Sequence, residues 1–112
     1  MDEQRARELL HTERARVHAL LADTVAAGSD DRTAANQQPG DMEDPAERLT
    51  AEEADDALAA SLRDRLAAID RAERRLDDGT YGRSVRSGQP IPDERLEADP
   101  AAELTVEEAA RP

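Results

Sequence analysis

Few side chains in this 112-residue sequence could perform covalent or metal chemistry. Ser84 and Ser87 would need a neighbouring base to act as nucleophiles, and no His lies in the C-terminal part of the chain. His11 and His18 are seven residues apart, on one face of a predicted helix, but only carboxylates are available to complete a metal site with them. We interpret both His as partly exposed helix residues and predict that the chain is not an enzyme.

Carboxylates are concentrated in one segment, residues 41–60, which carries eight acidic side chains and one Arg. Asp41 and Asp44 are three apart within it, and carboxylates so placed could coordinate a cation or accept hydrogen bonds from backbone and Arg donors. Composition alone favours a simpler interpretation, a solvated loop and a helix start, because acidic side chains favour a helix N-terminus.

Two long amphipathic helices are predicted to position this segment. The first covers about 2–27 and ends at a Gly-Ser-Asp stop signal. The second covers about 50–77 and begins with a capping box, in which Thr50 and Glu53 would satisfy each other's backbone N–H groups. The apolar stripe of the first helix consists of Leu9, Leu10, Val17, Leu20, Leu21 and Val25, and that of the second consists of Leu58, Leu62, Leu66, Ile69, Ala72 and Leu76.

Neither stripe is wide enough to stabilise an isolated helix, so we expect the helices to pair antiparallel. They would be joined by a polar loop over 28–49, which contains Pro39 and Pro45. The predicted fold class is therefore mainly α, with a long antiparallel helical hairpin, or coiled coil, over 1–78.

Residues 79–112, called the tail below, differ in composition and contain the only Tyr of the chain. Two short runs, 83–85 and 89–91, could form a small hairpin, and a short terminal helix could cover about 104–110. The tail is too small for a core of its own, so we expect it to pack on the base of the helical hairpin.

The charge of the chain excludes several classes of partner. The net charge is −12 and all basic side chains are Arg, which argues against direct DNA or RNA binding. The absence of Cys excludes disulfides and thiolate metal sites. The first residues are charged and no apolar stretch follows, so we predict neither a signal peptide nor a membrane span, and we expect a cytoplasmic monomer.

Residues 77–100 resemble the zinc-finger signature of the DksA/TraR family of RNA polymerase-binding transcription factors. The residues in register with that signature are Gly79, Tyr81, Gly82, Gly88, Pro90, Ile91, Arg95, Leu96, Ala98 and Pro100. By this resemblance, the four Cys ligand positions of the family are occupied by Ser84, Ser87, Thr105 and Glu108. Since such zinc sites use Cys or His, we predict a degenerate finger with no metal and no cofactor. Packing would have to replace the metal, and the expected residues are Tyr81, Ile91, Leu96 and Leu104.

Residues 41–46 fit the D-x-x-D-x-A pattern that members of this family carry at the tip of their coiled coil. The resemblance implies that the hairpin enters the secondary channel of RNA polymerase. Asp41, Asp44 and Ala46, called the acidic tip below, would then contact the polymerase there.

The resemblance also raises the question of an alarmone, because members that respond to guanosine tetraphosphate in the stringent response use basic residues near the hairpin base. This chain has no Lys; four Arg in this region could supply the charge, but the sequence does not match them to those residues one by one. We interpret them as pairing with neighbouring carboxylates such as Asp70, Asp77 and Asp78; the four are Arg71, Arg74, Arg75 and Arg95.

The sequence therefore predicts a regulator of transcription that binds RNA polymerase through the secondary channel. The alternative is a structural or adaptor hairpin that binds another protein and has lost polymerase regulation. Recovery of polymerase core subunits with the purified chain would distinguish the two.

Overall fold

The computed structural model describes the backbone of residues 1–37 and 45–111 and the side chains of residues 1–28 and 51–111. This part of the chain is mainly helical, and no helix in it is both long and apolar enough to cross a bilayer. The helices are α1 (Glu3–Gln37), α2 (Pro45–Asp78), α3 (Asp93–Ala98) and α4 (Val106–Ala109). The chain divides into two compact units. The first consists of Met1–Ala15 with Leu66–Pro112, and the second consists of Arg16–Arg65. The division crosses both long helices, whereas the predicted domain boundary lay after residue 78.

In the first unit, α1 and α2 run antiparallel. Arg7 forms an ion pair with Asp77 at 2.8 Å, and Arg14 lies 2.8 Å from both Asp70 and Glu73. Moving forward along α1 thus means moving backward along α2, as the predicted helical hairpin requires. Because these side chains are 27–67% exposed, solvent screens the ion pairs, and they indicate the register more than they stabilise the fold. The buried residues of this helix pair are Ala6, Leu10, Ile69, Ala72 and Leu76.

In the second unit, the buried hydrophobic residues among the described side chains are Val17 and Ala59. Leu20, Val25 and Leu58, which the periodicity assigned to the apolar stripes, are 41%, 49% and 49% exposed. The seam here is narrower than predicted, because helical spacing identifies a face but not how much of that face the partner helix covers.

The predicted ends of the helices facing the loop are wrong. α1 continues through Gly28 to Gln37, and α2 begins at Pro45 rather than at Thr50, so most of the predicted loop over 28–49 is helical. Gly28 is not among the glycines with positive φ, and a glycine ends a helix by adopting that conformation. Pro45 is tolerated because the first residue of a helix has no intrahelical use for its N–H.

The other end of α2 was predicted correctly. The helix ends at Asp78, and Gly79 follows with a φ of +78°. The backbone N–H groups of Thr80 and Tyr81 then both donate to the carbonyl of Arg75, at 2.8 and 3.2 Å. This left-handed closure caps the helix and turns the chain into the tail.

The predicted hairpin in the tail is reduced to one antiparallel bridge between Arg83 and Pro90. The N–H of Ser84 donates to Gln89 at 2.8 Å, and the N–H of Ile91 donates to Gly82 at 2.8 Å. α3 comes next and was not predicted, whereas α4 lies within the predicted terminal helix.

The tail has a small apolar cluster that packs with the hairpin base. Ile91, Leu96 and Ala102 are buried, with Met1 and Tyr81 packed against them. Leu104, expected in this cluster, is only partly buried and does not belong to it. The first unit also contains bidentate hydrogen bonds from Arg5 to Glu97, at 3.1 and 2.8 Å, so the tail is joined to α1 as expected.

Candidate functional site

The acidic tip falls mostly outside the described residues. Asp41 and Asp44 lie in the segment that the structure does not describe, and Ala46 lies in α2, where its side chain is not described. The tip assignment therefore stays a prediction. The carboxylates that follow the tip in sequence lie within α2 and not at its start, because the helix begins at Pro45. These residues are Glu52, Glu53, Asp55 and Asp56.

The four predicted ligand positions of the finger are brought together. The hydroxyl of Ser84 donates to Glu108 Oε2 at 2.9 Å, across 24 residues of chain. Ser84 Oγ in turn accepts the backbone N–H groups of Arg86 and Ser87, at 3.1 and 3.2 Å. Since a hydroxyl has one donor and two acceptor lone pairs, Ser84 uses its full capacity at this point.

Thr105 and Glu108 are joined by a capping box at the start of α4. Glu108 Oε1 accepts the N–H of Thr105 at 3.1 Å, and Thr105 Oγ1 accepts the N–H of Glu108 at 3.2 Å. Both oxygens of the Glu108 carboxylate are therefore engaged, one by Thr105 and the other by Ser84. We call Ser84, Ser87, Thr105 and Glu108 the hydroxyl–carboxylate cluster.

Glu108 is the charged member of this cluster. Its hydrogen bond from Ser84, followed by those from Thr105 and Ser87, lowers its pKa from 4.5 to about 2, although desolvation opposes the shift. Ser84 and Thr105 are each only 5% exposed, so their hydroxyls depend on partners within the protein.

Zinc does not fit the donors at these positions. Zinc in structural sites is held by thiolates and imidazoles, whereas this cluster offers three hydroxyls and one carboxylate whose oxygens are engaged in hydrogen bonds with one another and with the backbone. Within the described residues, no group of three or more His, Cys, Asp or Glu could hold a metal ion, and His11 and His18 are both exposed.

The Arg side chains near the tail do not pair as expected. Arg71 binds Glu103 at 2.7 Å, and Arg75 lies 3.8 Å from the same carboxylate, whereas Asp70 and Asp77 pair with residues of α1. Arg95 donates to the carbonyl of Leu104 at 2.8 Å. Glu103 was not among the predicted partners of Arg71 and Arg75, because sequence proximity on one helix could not reveal a residue 32 positions from Arg71.

Two features of the cluster were missed from the sequence. The Thr105–Glu108 capping box is visible as T-x-x-E and could have been found by the rule that was applied to Thr50. The second missed feature is Arg86, which donates to the backbone carbonyls of Glu108 and Arg111, at 3.3 and 3.5 Å. No local sequence pattern predicts this contact.

Comparison with known proteins gives two kinds of match. The chain is 43% identical over 72 residues to proteins from two strains of Caulobacter vibrioides, each described as RNA polymerase-binding transcription factor DksA; the match covers 61% of this chain and 50% of each relative. It is 50% identical over 48 residues to general stress protein 16O of Bacillus subtilis, covering 43% of this chain and 29% of that protein. The chain thus spans about half the length of the DksA relatives that it matches. No protein-family model matches it.

Among solved structures, the chain is similar to the transcription factor DksA2 from Pseudomonas aeruginosa. The TM-score is 0.79 at 28% sequence identity, and the match covers 97% of this chain and 81% of that one. The similarity includes both long helices and the tail, since so little of the chain is left out.

Proposed function

We propose that this chain, which belongs to the DksA/TraR family, binds RNA polymerase and regulates transcription. The observation that carries the proposal is the match to DksA2 over nearly the whole chain, together with 43% identity to proteins described as polymerase-binding. A fold match alone would not suffice, because one fold can serve many functions. Here the match in sequence and the match in structure indicate the same family.

In this proposal the protein acts by binding and without catalysis, in the cytoplasm where the polymerase works. The helical hairpin enters the secondary channel, and Asp41 and Asp44 contact the polymerase there, with Ala46 beside them. Acidic groups in such a position can accept hydrogen bonds or interact with a bound cation without reacting themselves. The charge supports a protein partner rather than a nucleic acid, because a net charge of −12 repels phosphates.

Recovery of polymerase subunits tests the partner. The purified chain, immobilised through a tag, should retain the core subunits of RNA polymerase from a lysate of its host. Retention of the purified core enzyme would exclude an indirect contact. If purified core polymerase does not bind, the proposal fails and the adaptor function becomes the better explanation.

Neutralisation of the acidic tip tests the mode of action separately. We expect Asp44→Asn to abolish the effect on transcription in vitro while polymerase binding is largely kept. Asp78→Asn is the matched control, since Asp78 is an exposed carboxylate at the far end of α2. An Asp41→Asn, Asp44→Asn double variant that regulates transcription like the wild type would exclude the tip assignment and leave the polymerase partner untouched.

A further inference from the structure

We propose that the Ser84–Glu108 hydrogen bond holds α4, at the end of the tail, against the turn that contains Ser84. The hydroxyl–carboxylate cluster thereby links two chain segments around the Glu108 carboxylate, as a zinc finger links its segments around a metal ion. This inference rests on contacts within the chain and is independent of the proposed function. Its first support is that α4 cannot hold itself in place. The helix has four residues, and an isolated helix of that length is unstable in water.

Apolar packing does not hold α4 either. None of its residues is buried, and Val106 is 58% exposed. The apolar cluster of the tail, formed around Ile91 and Leu96, includes no residue of α4. The placement of this helix therefore depends on polar contacts.

Those contacts come from the turn at residues 84–86. Ser84 binds the carboxylate of Glu108, and Arg86 binds the carbonyls of Glu108 and Arg111. One residue along, the N–H of Val85 donates to the carbonyl of Glu103 at 2.9 Å, just before α4. Glu108 thus receives two contacts from this turn: Ser84 binds its carboxylate and Arg86 binds its backbone carbonyl.

The polarity of this closure is the reverse of that in a zinc finger. In a zinc site, anionic thiolates converge on a cation. In this tail, donors converge on an anion: the hydroxyl of Ser84 and the N–H of Thr105 both point to the Glu108 carboxylate. Hydrogen bonds to a charged acceptor are stronger than those between neutral groups, which suits a closure with no apolar support. The lowered pKa of Glu108 agrees with a carboxylate held in its charged form.

Amide hydrogen exchange on the full chain tests the closure. Ser84→Ala and Glu108→Gln should each speed exchange severalfold at residues 84–91 and 105–111. Gln keeps one acceptor oxygen where Glu108 uses two, so it can serve Thr105 or Ser84 but not both. Both changes weaken the Ser84–Glu108 bond, while Ser84→Ala alone also removes the acceptor for the N–H groups of Arg86 and Ser87. The effect of the double variant should therefore be smaller than the sum of the two single effects.

Two comparisons keep this test decisive. Glu107→Gln alters the exposed neighbour of Glu108 in the same helix and should leave tail exchange unchanged. Slow exchange of α2 amides at 66–76 in every variant shows that the protein remains folded. Wild-type exchange in both Ser84→Ala and Glu108→Gln, or effects that simply add in the double variant, would overturn the proposal.

Metal binding tests the equivalence with a zinc finger. A zinc chelator should leave exchange in the wild-type tail unchanged, and added zinc should not bind. The variant with Ser84→Cys, Ser87→Cys, Thr105→Cys and Glu108→Cys should bind one zinc ion per chain, and chelation should then speed tail exchange. Chelator-sensitive exchange in the wild type, or no zinc bound by the fourfold variant, would refute the equivalence.

Discussion

At the scale of single residues, the tail uses two side chains with opposite polar roles. Glu108 is an acceptor for donors from two segments, and Tyr81 is a donor whose hydroxyl binds the carbonyl of Pro100 at 2.7 Å. Each group is held in the ionisation state that its contacts need: burial is the main cause that raises the pKa of Tyr81, to about 12, and hydrogen bonds lower that of Glu108. The tail should therefore lose stability at both extremes of pH, for different reasons.

On the acid side, Glu108→Gln should flatten the pH dependence of tail stability. The folded-state pKa is lowered, so the contribution of the charged group is present above the unfolded value of 4.5 and is lost as the pH falls toward about 2. Hydrogen exchange or NMR shifts of the tail, followed over this range, measure the effect. The pKa of Glu97 is also lowered, by its hydrogen bond from Arg5, but this contribution is common to both proteins. Parallel profiles for wild type and variant would contradict the prediction.

On the alkaline side, Tyr81→Phe should remove the loss of stability between pH 10 and about 12. The raised pKa means that the neutral phenol stabilises the folded state below pH 10, and that this contribution disappears as the pH rises through the folded-state value. At neutral pH the variant should lose about 1 kcal/mol, the net worth of a hydrogen bond. Urea unfolding followed by far-ultraviolet circular dichroism measures the free energy of unfolding at neutral pH and its change at alkaline pH. A variant as stable as the wild type at pH 7 would show that the bond to Pro100 contributes nothing.

At the scale of elements, two glycines near predicted helix ends behave differently. Gly28 precedes Ser and Asp and lies within α1, whereas Gly79 adopts a positive φ and ends α2. The difference lies in the residues on the C-terminal side of each glycine. After Gly79, Tyr81 packs against Ile91, Leu96 and Ala102, and this apolar contact favours a chain that leaves the helix. Residues 29–37 contain neither Pro nor Gly, and no apolar residue larger than Ala draws the chain out of the helix.

Gly28→Ala tests the extended helix directly. In the interior of a helix the change should stabilise the protein by up to about 1 kcal/mol, since Gly is the poorer helix former. The new Cβ meets no atom of the described residues within 4 Å, so none of them opposes the gain by a clash. If residue 28 instead ended the helix in a left-handed conformation, the same change would cost about 1–2 kcal/mol. The sign of the change in the free energy of unfolding, from urea titration, decides between the two.

The sequence predicted those elements whose signals are local and strong. The hairpin, the end of α2 and the turn between Arg83 and Pro90 are predictable from apolar spacing and from glycine and proline positions. α3 was missed because six residues are too few for a periodic pattern, although Pro92 before the acidic Asp93 and Glu94 was a usable start signal. The four positions of the cluster came from family resemblance. Their hydrogen bonds could not be predicted, since the partners Ser84 and Glu108 belong to distant segments.

At the scale of the whole molecule, buried apolar residues are distributed unequally between the two units. Among the described side chains, the second unit buries Val17 and Ala59, whereas the first buries the remaining hydrophobic residues of the core. Local opening needs less free energy where fewer apolar contacts must be broken. Among the described side chains, the unit that spans the predicted acidic tip is thus the one with less apolar burial.

Native-state hydrogen exchange should resolve this difference. We expect amides at 18–28 and 51–65 to exchange with a lower free energy of opening than those at 66–76 in α2. The described residues of both groups are helical, so the contrast would reflect side-chain burial rather than a difference in secondary structure. Equal opening free energies throughout α2 would mean that the helix opens only with the entire protein.

The aromatic ring of Tyr81 has one more consequence. The chain contains neither Trp nor Phe, so this phenol is its sole aromatic chromophore, and it sits beside Ile91, Leu96 and Ala102. Near-ultraviolet absorbance and intrinsic emission therefore originate at a single point of the tail. In the near ultraviolet, unlabelled protein thus reports on that region alone, and concentrations read at 280 nm depend on one weakly absorbing group.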